Sequence, residues 1–358
     1  MGYFELIVGC PFSGKTSNLI KRINKYRLAS SKIVLVSPYS QNGTHDKMTS
    51  NIKSIKTNDM KDLIENDLYH NIILIDDIHL FINIEHINTL LDVQNKTVIA
   101  TILNKREYPE IEVNNLSYLV PLTEKVTFIK ALVKYNNEVK ETSHYIIEDG
   151  NIKLIPNNRG KLQLIMGPMF SGKTSELIRM ANCYKNIGLK VITINHKINQ
   201  RYDTKKICSH DKVKLETHMC LEKLNQLMED YRDIYDKNEV FVIEEMQFFE
   251  DGYDIVKKML NDNKIVIACG LDGNFRRENF GDMGRLISLA DDVQKLNAVC
   301  LLSSPVQNAP FTRRIIRNER ETLVGTDDCY ISCSRDIFNL DNREFIERYN
   351  KYKNSLKE

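Results

Sequence analysis

The sequence has no tryptophan, and no apolar run approaches the ~20 residues that a bilayer-spanning helix needs. It also lacks any stretch dominated by glycine, proline, serine or charge of one sign, so a low-complexity tail is not expected. Its net charge is only +2 over 358 residues, too little to steer the chain toward nucleic acid or an anionic membrane. Neither partner is therefore expected. The eight cysteines are scattered, unlike the dense disulfide framework of a small secreted domain. The opening MGYFELIVGC has no basic leader region, and Leu6 stands where a myristoylation signal needs Ser or Thr. A cytoplasmic protein with reduced thiols is the expectation.

What is present is a repeated octapeptide. Gly-x-x-x-x-Gly-Lys-Thr occurs as Gly9 to Thr16 and again as Gly167-Pro168-Met169-Phe170-Ser171-Gly172-Lys173-Thr174. Glycines let successive backbone N–H groups turn toward one anion, the Lys reaches the β- and γ-phosphates, and the Thr hydroxyl serves Mg²⁺. Each copy follows an apolar strand, Phe4–Val8 or Leu162–Met166. Each precedes a helix with an apolar stripe: Leu19, Ile20 and Ile23 in the first, Leu177, Ile178 and Ala181 in the second. Further strands follow at 32–37 and 190–195, which makes each half a parallel α/β unit with an anion site at a helix start.

The correspondence runs beyond the loops. Gly9 and Gly167 differ by 158, His45 and His210 by 165, Asp76 and Glu244 by 168, and Pro121 and Ser288 by 167. A slowly drifting offset indicates duplication with small insertions. The expected architecture is α/β: two tandem P-loop NTPase-like parallel-sheet domains, the second carrying a small C-terminal substrate-loop subdomain. The expected boundaries are a degenerate first domain over 1–133, a hairpin and linker over 134–160, a P-loop kinase domain over 161–298, the substrate-loop subdomain over 299–340 and a charged tail over 341–358. Asp149-Gly150, between two short β-rich runs, signals the hairpin.

Residues 162–338 resemble the thymidine kinases of the second type, the cytosolic and viral deoxynucleoside kinases. The matching pieces are GPMFSGKTSELI (167–178), RYD (201–203), SHD (209–211), VIEEMQFF (242–249), GLDGNFRRENFG (270–281), LADDVQKLNAVC (289–300) and FTRR (311–314). The resemblance implies transfer of the ATP γ-phosphate to the 5′-hydroxyl of thymidine or a close deoxynucleoside. Glu245 would be the general base. ATP would be held by Gly167 through Thr174, with Arg201, Glu244 and Gln247, and Mg²⁺ by Thr174 and Glu244. The nucleoside would meet Met169, Phe249, Leu271, Phe275, Phe280, Arg277 and Tyr330. His210 and Asp211 are read as supporting the fold, and a homo-oligomer is implied.

The sequence departs from the family at identifiable places. Glu244 replaces the usual Asp, and Asn199 replaces an acidic residue near Arg201. The family's zinc needs four ligands, whereas only Cys300 and Cys333 remain, with Ser303 and Asp336 at the other positions. Zinc is therefore not expected. In the first copy Gly9, Gly14, Lys15 and Thr16 mark a candidate second nucleotide site, but Asp77 stands for Glu245 and Glu107 for Phe275. That copy is expected not to transfer phosphate. Two other readings stay open here: a nucleotide-binding pseudokinase with a structural or regulatory role, and a P-loop motor.

Overall fold

The computed structural model describes residues 2–27, 32–39, 53–66, 69–104, 116–135, 138–142, 145–148, 151–154, 160–198, 206–208, 214–305, 307–316 and 328–355. Arg201, His45, Glu107, the Asp149-Gly150 turn, His210, Asp211 and the 321–327 stretch of the substrate loop lie outside them.

The chain divides into two compact units, one of residues 1–115 and 123–156, the other of residues 116–122 and 157–358. The first is built on β1 (Tyr3–Gly9), β2 (Ile33–Ser37), β3 (Lys53–Lys56), β4 (Ile72–Ile75), β5 (Thr97–Leu103) and β6 (Lys125–Ile129). These form one parallel sheet in the order β3-β2-β4-β5-β1-β6. Strands β2 and β4 are buried along their whole length, as expected where a parallel sheet is covered on both faces. The edge strand β3 is mostly exposed and correspondingly polar. Helix α1 (Lys15–Arg27) lays Leu19 against Ile7, Leu35, Leu74 and Ile99. A short helix α2 (Met60–Asn66) follows β3. Beyond the sheet, β7 (Ala131–Tyr135) pairs with β8 (Glu138–Thr142), and β9 (Tyr145–Glu148) with β10 (Asn151–Leu154). The expected hairpin is present, and a second one precedes it.

The second unit repeats the plan. Its strands are β11 (Lys161–Met166), β12 (Val191–His196), β13 (Lys206–Cys208), β14 (Lys214–Glu216), β15 (Met219–Leu221), β16 (Val240–Ile243), β17 (Ile265–Gly270) and β18 (Asp292–Lys295). The parallel order β15-β12-β16-β17-β11-β18 matches the first sheet position for position, with β13 and β14 pairing separately. Helix α3 (Lys173–Asn186) buries Leu177, Ile178 and Ala181 on Ile165, Val242 and Ile267, the stripe the sequence pattern predicts. Helix α4 (Gly252–Asn261) buries Ile255, Val256, Met259 and Leu260. Both units tie the strand carrying the phosphate loop to the residue just before β6 or β18 by the same device. Glu124 accepts the Phe4 N–H at 2.7 Å, and Asp291 accepts the Leu162 N–H at 2.8 Å.

The small C-terminal subdomain comprises β19 (Ala298–Cys300) paired with β20 (Gln307–Ala309), and β21 (Phe311–Arg314) paired with β22 (Tyr330–Cys333). Its core joins Cys300, Phe311, Ile331, Cys333 and Ile337 to Phe345 of the terminal helix α5 (Asn342–Ser355). The charged tail is thus a helix with one buried apolar anchor.

Residues 116–122 belong by their packing to the second unit, although they lie between β5 and β6 in the chain. Lys295 donates to the Val120 carbonyl at 3.0 Å, and Arg335 donates to that of Leu122. A Cβ on Gly284 would lie 2.5 Å from the Ser117 Cα, backbone that cannot swing aside. Gly284→Ala should therefore cost about 1–3 kcal/mol through overpacking. A lowered urea midpoint checks this; an unchanged midpoint would contradict the packing.

Candidate active site

Three adjacent strands, β16, β17 and β11, run parallel and end on the same edge of the sheet. Their carboxyl ends deliver Glu244 and Glu245, then Leu271 and Asp272, then the phosphate loop. Such an edge is where ligands bind in open α/β sheets. Three segments distant in sequence are brought together by strand order alone.

Two positions at this edge, one in the phosphate loop and one after β16, are locally strained. Phe170 sits at φ 60° and Glu245 at φ 55°, left-handed conformations that a side chain adopts at a cost of order 1–3 kcal/mol. Lys173 donates to the Pro168 carbonyl at 2.6 Å, and the Ser171 hydroxyl donates to the same oxygen at 2.8 Å. Burial pushes the Lys173 pKa down, opposed first by the charge of Glu245. The Thr174 hydroxyl donates to Glu244 at 2.9 Å, and Glu244 is itself buried.

Glu245 is held from the side. Gln247 donates from Nε2 to its carboxylate at 2.6 Å, while Gln247 Oε1 accepts the Leu271 N–H at 3.0 Å. Gln247, assigned to the ATP site on the family pattern, is 3% exposed and couples the carboxylate to the end of β17. Below them Cys269 is buried; desolvation raises its thiol pKa well above normal, and Glu244 and Glu245 raise it further. It is a neutral floor. Beside it Asp272 pairs with Lys295 at 2.6 Å, both side chains almost wholly buried.

The aromatic residues fall into two groups. Phe249 is buried with its ring edge-on to His196 at 4.7 Å, and Phe248 meets Phe280 edge-on at 5.6 Å. Phe275 lies elsewhere, under the Arg314 guanidinium at 3.6 Å. Arg314 is buried and donates to the Tyr330 hydroxyl at 2.8 Å, so Phe275, Arg314 and Tyr330 form one assembly. Arg277, at φ 63°, places its guanidinium over Phe338 at 4.5 Å and Phe311 at 5.4 Å, within the C-terminal subdomain.

Sequence reasoning missed Arg314 as a site residue. FTRR was in view as a motif, but only the β21–β22 pairing turns its last Arg toward Tyr330. It also missed a clasp on the phosphate loop. Thr312 and Ser332 face each other across β21 and β22; Thr312 Oγ1 accepts the Met169 N–H at 3.0 Å, and Ser332 donates to the Met169 carbonyl. The subdomain therefore grips the loop through Met169, whose own amide is occupied.

Cys300 and Cys333 lie in the same apolar cluster. Burial pushes the Cys333 thiol pKa up, and neighbouring Cys300 adds to the shift. Ser303 uses its hydroxyl on the Cys300 carbonyl, and Asp336 is exposed on the following helix. This donor set does not fit a tetrahedral zinc, which wants deprotonated thiolate or imidazole. Among the described residues no group of three or more His, Cys, Asp or Glu side chains is placed to hold a metal. The Thr174 hydroxyl and Glu244 carboxylate do fit Mg²⁺, a hard cation that takes few protein oxygens and keeps its waters.

A cradle for polyphosphate, a carboxylate held to face it and an aromatic recess on one sheet edge make this a P-loop phosphotransferase in class. A family model described as thymidine kinase matches residues 2–158 and again 160–338. The chain belongs to the thymidine kinase family. It is similar to thymidine kinase 1 of Dictyostelium discoideum, 35% identical over 189 residues, covering 52% of this chain and 80% of that one. It is likewise similar to the thymidine kinases of vaccinia virus (strain Western Reserve) and variola virus. Each is 37% identical over 181 residues, covering 51% of this chain and 98% of the viral one. Among the described residues no helix is long and apolar enough to cross a membrane.

Proposed function

We propose that the second unit is an ATP-dependent thymidine kinase that forms dTMP, as part of deoxynucleoside salvage in a reducing cytoplasm. The observation that supports the reading is the hydrogen-bond chain from Leu271 through Gln247 to Glu245, which tethers one carboxylate on the sheet edge that also carries the phosphate loop. The donor is ATP, held by Lys173 and the loop amides after Met169. Thr174 and Glu244 would hold Mg²⁺, which when bound neutralises charge on the β- and γ-phosphates. Arg201 completes the phosphate contacts on the family pattern.

Glu245 takes the proton of the nucleoside 5′-hydroxyl as that oxygen bonds to the γ-phosphorus. The bond to the β,γ-bridging oxygen breaks, ADP leaves with that electron pair, and dTMP carries the phosphoryl group. The base lies against Met169, Phe249, Leu271 and Phe280, with Phe275, Arg277 and Tyr330 closing the site from the subdomain side. Arg314 acts as a positioning residue by fixing Phe275 and Tyr330.

Nucleotide products from purified full-length protein with ATP and a panel of thymidine, deoxyuridine, deoxycytidine and uridine test this reading. dTMP and ADP in equal amounts support it, and no nucleoside monophosphate from any of the four would reject it. The subdomain, in this reading, is held by its apolar cluster and by Arg313, which donates to the Ile337 and Phe338 carbonyls at 2.7 Å. Metal analysis of the purified protein should accordingly find far less than one zinc per chain. Stoichiometric zinc would overturn that part.

A further inference from the structure

The phosphate loop of the first unit is left unused by the reaction in the second. Its backbone repeats that of the working loop: Phe12 and Phe170 both stand at φ 60°, and Gly14 and Gly172 both at φ 82°. Lys15 is 9% exposed and donates to the Cys10 carbonyl at 3.0 Å, as Lys173 does to Pro168. Asp76, fully buried, is gripped at both oxygens: Thr16 donates to one at 2.9 Å and Thr101 to the other at 2.5 Å. Thr101 also accepts the Asp77 N–H at 2.7 Å. The second unit has Cys269 at the position of Thr101, so the first unit holds its metal-side carboxylate with one more hydroxyl.

Two further groups point to a ligand. Asn104, 2% exposed, donates its backbone N–H to the Gly9 carbonyl at 2.9 Å and is thereby fixed beside the loop. Its side-chain oxygen is buried and finds no hydrogen-bond partner among the described residues, and the Ser13 hydroxyl within the loop is in the same condition. Buried polar atoms without partners are rare in folded proteins. Burying a lysine ammonium and an aspartate in this way is poor value for stability alone, since apolar replacements of similar volume are often as good or better. Lys15, nearly buried and resting on a backbone carbonyl of its own loop, is placed to meet a bound anion.

We propose that the first unit is a second nucleoside-triphosphate site, in which Lys15 and the loop amides hold the phosphates and Thr16 and Asp76 hold the accompanying Mg²⁺. It binds without transferring. Asp77 is one methylene shorter than Glu245, and His79 stands where Gln247 braces that base, so no acceptor hydroxyl is activated there.

Calorimetric titration of the full-length chain with Mg²⁺–ATPγS, and in parallel with Mg²⁺–GTPγS, tests this directly. The wild type should bind two ATPγS per chain, and Lys15→Ala and Lys173→Ala should each bind one. Thr16→Val serves if Lys15→Ala does not fold, with the same expected loss of one. Binding of GTPγS to the Lys173→Ala chain would assign recognition to the phosphate tail, and binding of ATPγS alone would add a reading of adenine. A single site in the wild type overturns the proposal, as do two sites persisting in the Lys15 and Thr16 variants or none left in Lys173→Ala. The readout does not depend on turnover. A chain that binds two nucleotides and phosphorylates no nucleoside would reject the kinase reading and leave this one standing.

Discussion

Glu245→Gln should lower kcat by about 10²–10⁴-fold with little change in stability. The amide keeps the length of the side chain and can still hydrogen-bond Gln247, so the local turn at Met246–Phe248 persists. What disappears is the capacity to accept the proton of the 5′-hydroxyl. The loss corresponds to about 3–5 kcal/mol of transition-state stabilisation. Steady-state kinetics with ATP and thymidine check it, alongside circular dichroism to establish that the variant folds. A fall of less than tenfold would mean that another group takes the proton. The neighbouring pair differs in its partners: Glu244 accepts from the Thr174 hydroxyl, whereas Glu245 accepts from Gln247.

Lys173→Ala should reduce kcat by roughly 10²–10³-fold, the usual effect of removing one preorganised donor from developing transition-state charge. The lysine now rests on the Pro168 carbonyl at 2.6 Å, in a site where Glu245, Asp272 and Glu244 all favour its charged form against desolvation. Truncation removes the only positive charge that the loop itself contributes. KM for ATP should rise together with the fall in kcat, because the same ammonium meets ground-state and transition-state phosphates. An unchanged kcat would show that the γ-phosphate is stabilised from elsewhere, and the phosphotransfer assignment to this loop would fail.

Much of the fold was legible because its signals are local. The apolar runs at 4–8 and 162–166, the stripe of Leu177, Ile178 and Ala181, and the paired octapeptides each report their own backbone without reference to distant contacts. The drifting offset between copies also anticipated matching sheets. Lys173 and Thr174 were singled out because they lie inside a motif whose residue types phosphate chemistry dictates, and Glu245 because of the family resemblance. Gln247 was seen but given to ATP; its partner Leu271 is 24 residues away, and only the β16–β17 pairing brings them within 3.0 Å. Arg314 and the Thr312–Ser332 clasp were hidden for the same reason, since a hydroxyl or guanidinium in a strand carries no mark of the atom it will meet. The docking of 116–122 into the second unit is another long-range event, between 120 and 295, with no periodicity to announce it.

By itself, then, the amino-acid order determined two parallel α/β units, the loop that cradles phosphate in each, and the carboxylate pair that follows the strand at 240–243. Those features depend on backbone torsions and on residue type within a few positions. Tertiary structure alone decided which side chain braces Glu245, what grips Met169, and how Phe275 comes to lie under Arg314. Those depend on strand order and register, where groups far apart in the chain become neighbours through burial of apolar surface common to both.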